Sequence, residues 1–192
     1  GYCLSGREIT SREFETLKRS EEKYRSICEN SIMAIFRTTP DGRYLSVNPA
    51  GAKMWGYDSQ EEMIHSVTDL AHQIYVYPED RKRFKEMVET NGFVEGFEAE
   101  FYTKSGRRIW ASMNARAIRD SSEKTLYYET TFEDITKRKQ AEESLKKERA
   151  ILFTILENDP SGILVISING VYQYVNPKFI QITGYNLSDV PT

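Results

Sequence analysis

Cysteine, histidine and long apolar runs are all scarce in this chain of 192 residues. The two cysteines, Cys3 and Cys28, fit no metal spacing, and the start of the chain lacks a basic segment followed by an apolar one. Free thiols in a reducing compartment are therefore expected. The two histidines, His65 and His72, make no metal pair with a cysteine or with each other. There is no phosphate-cradling glycine loop and no nucleophile with a nearby His-and-acid signature, so the segment is read as non-enzymatic. The longest apolar run, Ile163 to Ile168, is far shorter than the ~20 residues that cross a bilayer. A net charge of −3 leaves too little positive potential to follow a phosphate backbone. These absences point to a cytoplasmic location, with no direct membrane insertion and no nucleic-acid partner.

What is present is a repeat. At an offset of 128 residues, Glu29, Asn30, Ile35, Gly42, Tyr44, Val47, Asn48, Pro49, Gly56 and Tyr57 recur as Glu157, Asn158, Ile163, Gly170, Tyr172, Val175, Asn176, Pro177, Gly184 and Tyr185. These are 10 identities in 29 aligned positions, where about two are expected from average composition. Two copies of one unit are implied. The counterpart of His65 to Asp134 is missing from the second copy and the chain has no initiating Met, so a fragment of a longer tandem array is expected.

Local patterns outline the unit. Phe14, Leu17, Tyr24, Ile27 and Cys28 fall at helical spacing among charges, predicting an amphipathic helix from about Ser11 to Cys28. Two strands, Met33 to Thr38 and Tyr44 to Val47, flank Pro40-Asp41-Gly42, a tight turn. Asn48-Pro49 opens a short helix, Ala50 to Met54, and Gly56 stops it. Short helical turns are expected from Ser59 to Tyr77, then a helix from Pro78 to about Thr90, with Glu79 and Asp80 at its positive end. Phe97, Ala99 and Phe101 alternate with Glu98 and Glu100; after Lys104-Ser105-Gly106, Ile109, Ala111, Met113, Ala115 and Ala117 alternate with Trp110, Ser112, Asn114 and Arg116. That is a long hairpin with one drier face. Thr125 to Glu133 supplies a fifth strand, and the class is α+β with an antiparallel sheet.

From Thr136 to Leu156 there is neither Gly nor Pro, and Glu142 with Lys146 and Glu143 with Lys147 stand in the favourable order. A continuous helix is expected there. Ala141, Leu145, Leu152, Ile155 and Leu156 mark its apolar seam, read as pairing with a partner helix in a homodimer, the rival being a packing stripe against its own domain. Arg138 and Glu148 are weak points in that heptad.

Four stretches taken in order resemble the PAS domain, a sensor module of signalling proteins: Asp41 to Ala50 with Gly56-Tyr57, Tyr77 to Arg81, Lys104 to Trp110, and Asp134-Ile135-Thr136 before a charged helix. The tandem PAS regions of bacterial histidine kinases and diguanylate cyclases are the particular likeness. The resemblance implies a five-stranded antiparallel sheet cupping helices on one face, and a linker helix that transmits a signal. It divides the chain into a stalk at 1–23, a complete sensor domain at 24–135, a linker helix at 136–156 and the amino-terminal part of a second domain at 157–192. Asp134 and Thr136 suit a signal junction because both accept hydrogen bonds from free N–H groups at a helix start; an ordinary cap is the plainer alternative. Asn48 and Asn176 are read as turn residues bonding local backbone.

Family members that bind haem or flavin do so through residues this chain does not match. His65 and His72 both precede Pro78, whereas the family's haem ligand lies in the helix that follows, and Cys3 and Cys28 lie upstream of any flavin-reactive position. No cofactor is predicted. Phe36, Phe84, Phe101, Trp110 and Tyr128 are the candidate pocket lining, and a small organic ligand and a filled core both stay open. Neither histidine lies in a kinase phosphoacceptor sequence, so an output kinase or cyclase would be carried by other parts of the same protein. The segment is read as the sensory and dimerisation part of a two-component histidine kinase, with a ligand-free spacer and a redox or gas sensor as rivals. Edges of the second copy need cover, so either poor order beyond about Leu156 or dimer packing of Ile163, Val165 and Val175 is expected.

Overall fold

The computed structural model describes residues 11–189, so Cys3 lies outside the described residues, as does the Leu17 side chain. The chain divides into two compact units, within Gly1–Thr136 and within Lys137–Thr192.

In the first unit, helix α1 (Ser11–Glu29) precedes strands β1 (Ala34–Thr38) and β2 (Tyr44–Val47). Gly42 adopts φ +91° in the turn between the strands, a conformation costly for any residue with a Cβ. Short helices α2 (Pro49–Trp55), α3 (Gln60–Ser66) and α4 (Leu70–Gln73) follow, and the side chains of Asn48, Ser59 and Asp69 cap them. Helix α5 (Pro78–Asn91) starts on proline and ends at Gly92 in the left-handed region. Strands β3 (Phe93–Tyr102), β4 (Arg108–Arg119) and β5 (Thr125–Asp134) complete an antiparallel sheet of order β2-β1-β5-β4-β3. The expected α+β class with a five-stranded antiparallel sheet is what forms.

Alternation decides which face is dry. Phe97, Ala99, Phe101, Ile109, Ala111 and Met113 are buried, and they meet Trp55, Met63, Leu70, Phe84 and Val88 from the helices. Phe36, Trp55, Phe101 and Phe132 interlock edge to face at centroid distances of 5.0–5.9 Å. The stripe of α1 is not part of this core: Phe14 is 62% and Ile27 61% exposed.

In the second unit, helix α6 (Thr136–Asn158) runs unbroken for 23 residues and buries none of them. Leu145, Leu152 and Ile155 are about half exposed, and Ala141 is exposed, so most of the predicted seam is bare in the single chain; Leu156 is half-buried. Strands β6 (Leu164–Ile166) and β7 (Tyr172–Val175) then form a hairpin, followed by α7 (Pro177–Thr183), capped by Asn176 and closed by Gly184. These repeat β1, β2 and α2 at the predicted offset. The unit is formed as far as Asp189, and Val175 is already buried within it, whereas Val165 stays 39% exposed.

Candidate functional site

The end of the sheet and the start of α6 meet at Trp110. Its carbonyl accepts from the Ile135 N–H at 2.9 Å, and its own N–H donates to Thr136 Oγ1 at 3.0 Å, with the Thr136 hydroxyl facing the Trp110 carbonyl at 3.4 Å. Asp134 Oδ1 accepts from the Thr136 N–H at 2.8 Å. Ile135 between them is buried against the unit. Asp134 thus satisfies a helix-start N–H as expected, but the Thr136 hydroxyl serves β4 rather than its own helix. Trp110 of β4 is thus hydrogen-bonded directly to the first residue of α6.

Trp110 is the clearest correction to the predicted pocket lining. Ile109 and Ala111 point into the core, so strand period places Trp110 on the opposite face, half-buried. Tyr128 is also absent from the cavity wall. It is fully buried, but its ring packs beside Phe84 at 5.9 Å and its hydroxyl donates to Glu89 on α5. Thr125 Oγ1 donates to the same carboxylate at 2.8 Å, and the Arg119 guanidinium holds the Glu89 carbonyl at 2.5 Å. Burial favours the neutral Glu89 acid, yet these hydrogen bonds and the Arg119 charge outweigh it and hold its titration below the ordinary value. The cluster locks the end of α5 onto β4 and β5.

Phe36, Phe84 and Phe101 do line one interior cavity, together with Thr38, Tyr44, Tyr75 and Arg81. Its volume is ≈ 20 Å³, enough for about one water. Burial pushes the Tyr75 phenol up to about 12 and the Tyr44 phenol well above its ordinary range. Deep in this unit, Thr38 Oγ1 and Trp55 Nε1 have no hydrogen-bond partner. Sequence reading missed Arg81, because a basic residue on a charged helix looks solvated. His65 and His72 are exposed on α3 and α4, and no group of His, Cys, Asp and Glu among the described residues is arranged to hold a metal. Among the described residues no helix is long and apolar enough to cross a membrane.

The outer sheet face carries a second attachment. Arg37 of β1 contacts Glu129 of β5 through Nε at 3.0 Å and Nη2 at 2.8 Å, and Nη2 also donates to the Tyr24 hydroxyl of α1 at 2.6 Å. Its guanidinium lies over the Tyr24 and Tyr127 rings at 4.8 and 5.3 Å. Desolvation, the Cys28 hydrogen bond and the Glu129 charge push the Tyr24 phenol up to about 12. Helix α1 is therefore latched to the sheet through Tyr24, while Phe14 and Ile27 of the same stripe stay exposed.

Comparison with known proteins gives two matches along the chain. Two family models, both described as PAS domain, match residues 30–137 and 150–192. The sensor histidine kinase TmoS of Ectopseudomonas mendocina is 25% identical over 150 residues, which are 76% of this chain and 15% of that protein. The methyl sulfide methyltransferase-associated sensor of Methanosarcina acetivorans is 24% identical over 174 residues, 90% of this chain and 17% of that protein. The chain thus spans less than a fifth of these relatives' length. The crystal structure of the PAS domain of a protein from Colwellia psychrerythraea superposes with a TM-score of 0.52 at 21% identity, covering 62% of this chain and 98% of that one. A five-stranded antiparallel sheet cupping α2 to α5, with a family model spanning residues 30–137, more than half of the sequence, places this chain in the PAS domain family.

Proposed function

We propose that this chain is the sensory and dimerisation segment of a multidomain signalling protein, a sensor histidine kinase in the first instance. The relatives it resembles are sensors, which supports the signalling role; the kinase output belongs to sequence outside this segment. The observation that carries the reading is the Trp110 clasp on Ile135 and Thr136, because it couples a core strand to an uninterrupted helix. A ligand or partner that shifts β4 and β5 biases the start of α6, and a bias of a few kcal/mol between two helix arrangements is enough to switch an output. The bare seam of Leu145, Leu152 and Ile155 pairs with its copy in a cytoplasmic homodimer.

The test is the Asp134→Ala, Thr136→Ala double variant in the full-length protein. Signal-dependent autophosphorylation should become constant while the domain keeps its fold by circular dichroism; unchanged regulation refutes the coupling role. The cavity's small volume favours a second reading, a spacer that sets stalk length and senses nothing. A spacer predicts that the double variant leaves output untouched and that no small molecule binds.

A further inference from the structure

Helix α1 is gripped near its end by two strands at once. The Tyr24 hydroxyl donates to Glu129 Oε1 at 3.2 Å and accepts from Arg37 Nη2 at 2.6 Å. Arg37 of β1 and Glu129 of β5 stand directly opposite each other in the sheet, so this receptor for Tyr24 exists only while β1 and β5 keep that register. The two side chains are 32% and 35% exposed, which makes the grip modest and reversible. Strand β5 also carries the other attachment: five residues after Glu129, Asp134 Oδ1 accepts from the Thr136 N–H that starts α6. Strand β4 backs both points, with Arg116 opposite Glu129 and Ala111, the neighbour of Trp110, opposite Asp134, and the pairing between them runs without a shift of register. The second unit is built differently. At the 128-residue offset Leu152 and Val165 replace Tyr24 and Arg37, and its incoming helix is met by Tyr174, whose hydroxyl donates to Glu157 at 2.7 Å.

We infer that the first unit is a relay between its two helices, with β5 as the shared element and the Arg37–Glu129 pair as the receiving end. Release of Tyr24 from that pair loosens the Trp110 clasp on α6, and loosening the clasp releases Tyr24. The regulator is then α1 itself, a helical input on the same chain, acting on the sheet from its outer face. The two-state element is α1, latched or unlatched at Tyr24, while Asn48 keeps its hold on the Cys28 carbonyl in both states. Linkage makes the effect reciprocal, with the same factor in each direction. The use of this relay in signalling rests on the sensor reading above; the coupling itself does not.

The experiment measures amide hydrogen exchange by NMR on the whole chain, in a cycle of Tyr24→Phe and Thr136→Val. Tyr24→Phe keeps the ring over Arg37 and removes only the hydroxyl, and Glu129→Gln serves as a second variant that keeps the shape of β5 while removing the charge. Either change should quicken exchange at the Trp110 amide about threefold, although neither touches the clasp. Thr136→Val should quicken exchange at the Cys28 amide of α1 by about the same factor, and the double variant should show less than the product of the single effects. A Trp110 amide unmoved by both latch variants, a Cys28 amide unmoved by Thr136→Val, or strict additivity in the cycle overturns the relay. Coupling found together with unaltered kinase regulation in the Asp134→Ala, Thr136→Ala variant would instead sink the sensor reading and leave the relay standing.

Discussion

The side-chain amide of Asn176 holds the carbonyl oxygen of Leu156 at 3.0 Å, catching the last turn of α6 from a position 20 residues downstream. In the first unit Asn48 holds the Cys28 carbonyl of α1 at the same distance. Each asparagine makes four contacts. Asn48 Oδ1 accepts from the Ile35 and Gly51 N–H groups, and Nδ2 donates to the Cys28 and Met33 carbonyls; Asn176 repeats the set with Ile163, Phe179, Leu156 and Ser161. One side chain therefore ties incoming helix, first strand and next helix together, and only a planar amide has the two acceptor and two donor sites required.

Asn48→Ala removes a helix cap and leaves buried backbone groups without partners, so a loss of about 2–4 kcal/mol is expected from the urea midpoint. Asn48→Asp should lose a similar amount, because a carboxylate would then face the Cys28 and Met33 carbonyls. An Asp variant as stable as the native chain would show that the two donor contacts contribute nothing.

Gly51 sits where a Cβ would lie 2.8 Å from Phe36 Cζ and 3.1 Å from Asn48 Oδ1. Gly51→Ala should cost about 1–3 kcal/mol through overpacking. The second unit has Phe179 at this place and Leu164 opposite it, so adding Phe36→Leu to Gly51→Ala should recover part of the loss. Strict additivity of the two variants would rule out that contact as the cause.

Thr136→Val keeps the branched shape of the junction but removes its acceptor for the Trp110 N–H. Hydrogen exchange at the Trp110 amide should quicken about fivefold, with global stability almost unchanged. Equal protection in both chains would mean that the hydroxyl does not hold the strand to the helix.

Glu89 gives the acid-side behaviour a definite sign. Its folded value is depressed below the ordinary 4.5, so its contribution is present above that pH and is lost as pH falls through the folded value. Stability measured downward from neutral pH should therefore decline less steeply in Glu89→Gln than in the native chain. Parallel slopes would assign the acid sensitivity to other carboxylates.

Leu145→Glu with Leu152→Glu should convert the proposed dimer to a monomer in sedimentation velocity. Both side chains are about half exposed in the single chain, so the fold of either unit has no reason to suffer. A native chain that sediments as a monomer at all concentrations removes the helix-pairing proposal.

Elements with strong local period were legible. Phe97 to Ala117 alternates cleanly, and the hairpin forms with Phe101 opposite Ile109. The same alternation argued against Trp110 as pocket lining, since it stands between Ile109 and Ala111, and the fold sides with the period. Arg81 and Tyr128 were harder, because their roles depend on partners brought in from distant strands. Asn48 looked like a local turn residue, and it is one, but its Nδ2 contacts reach 15 and 20 residues back.

Sequence by itself determined the duplication, the turn glycines, the unbroken helix after Thr136 and the α+β class, because steric limits on φ and ψ and side-chain periodicity act over a few residues. Tertiary structure alone decided that β5 inserts between β1 and β4, that Arg81 is buried against the Phe84 and Tyr128 rings, and that Trp110 is hydrogen-bonded to Thr136. Those outcomes depend on which surfaces meet after chain closure over tens of residues, a competition among burial, pairing and entropy that no short window of sequence contains.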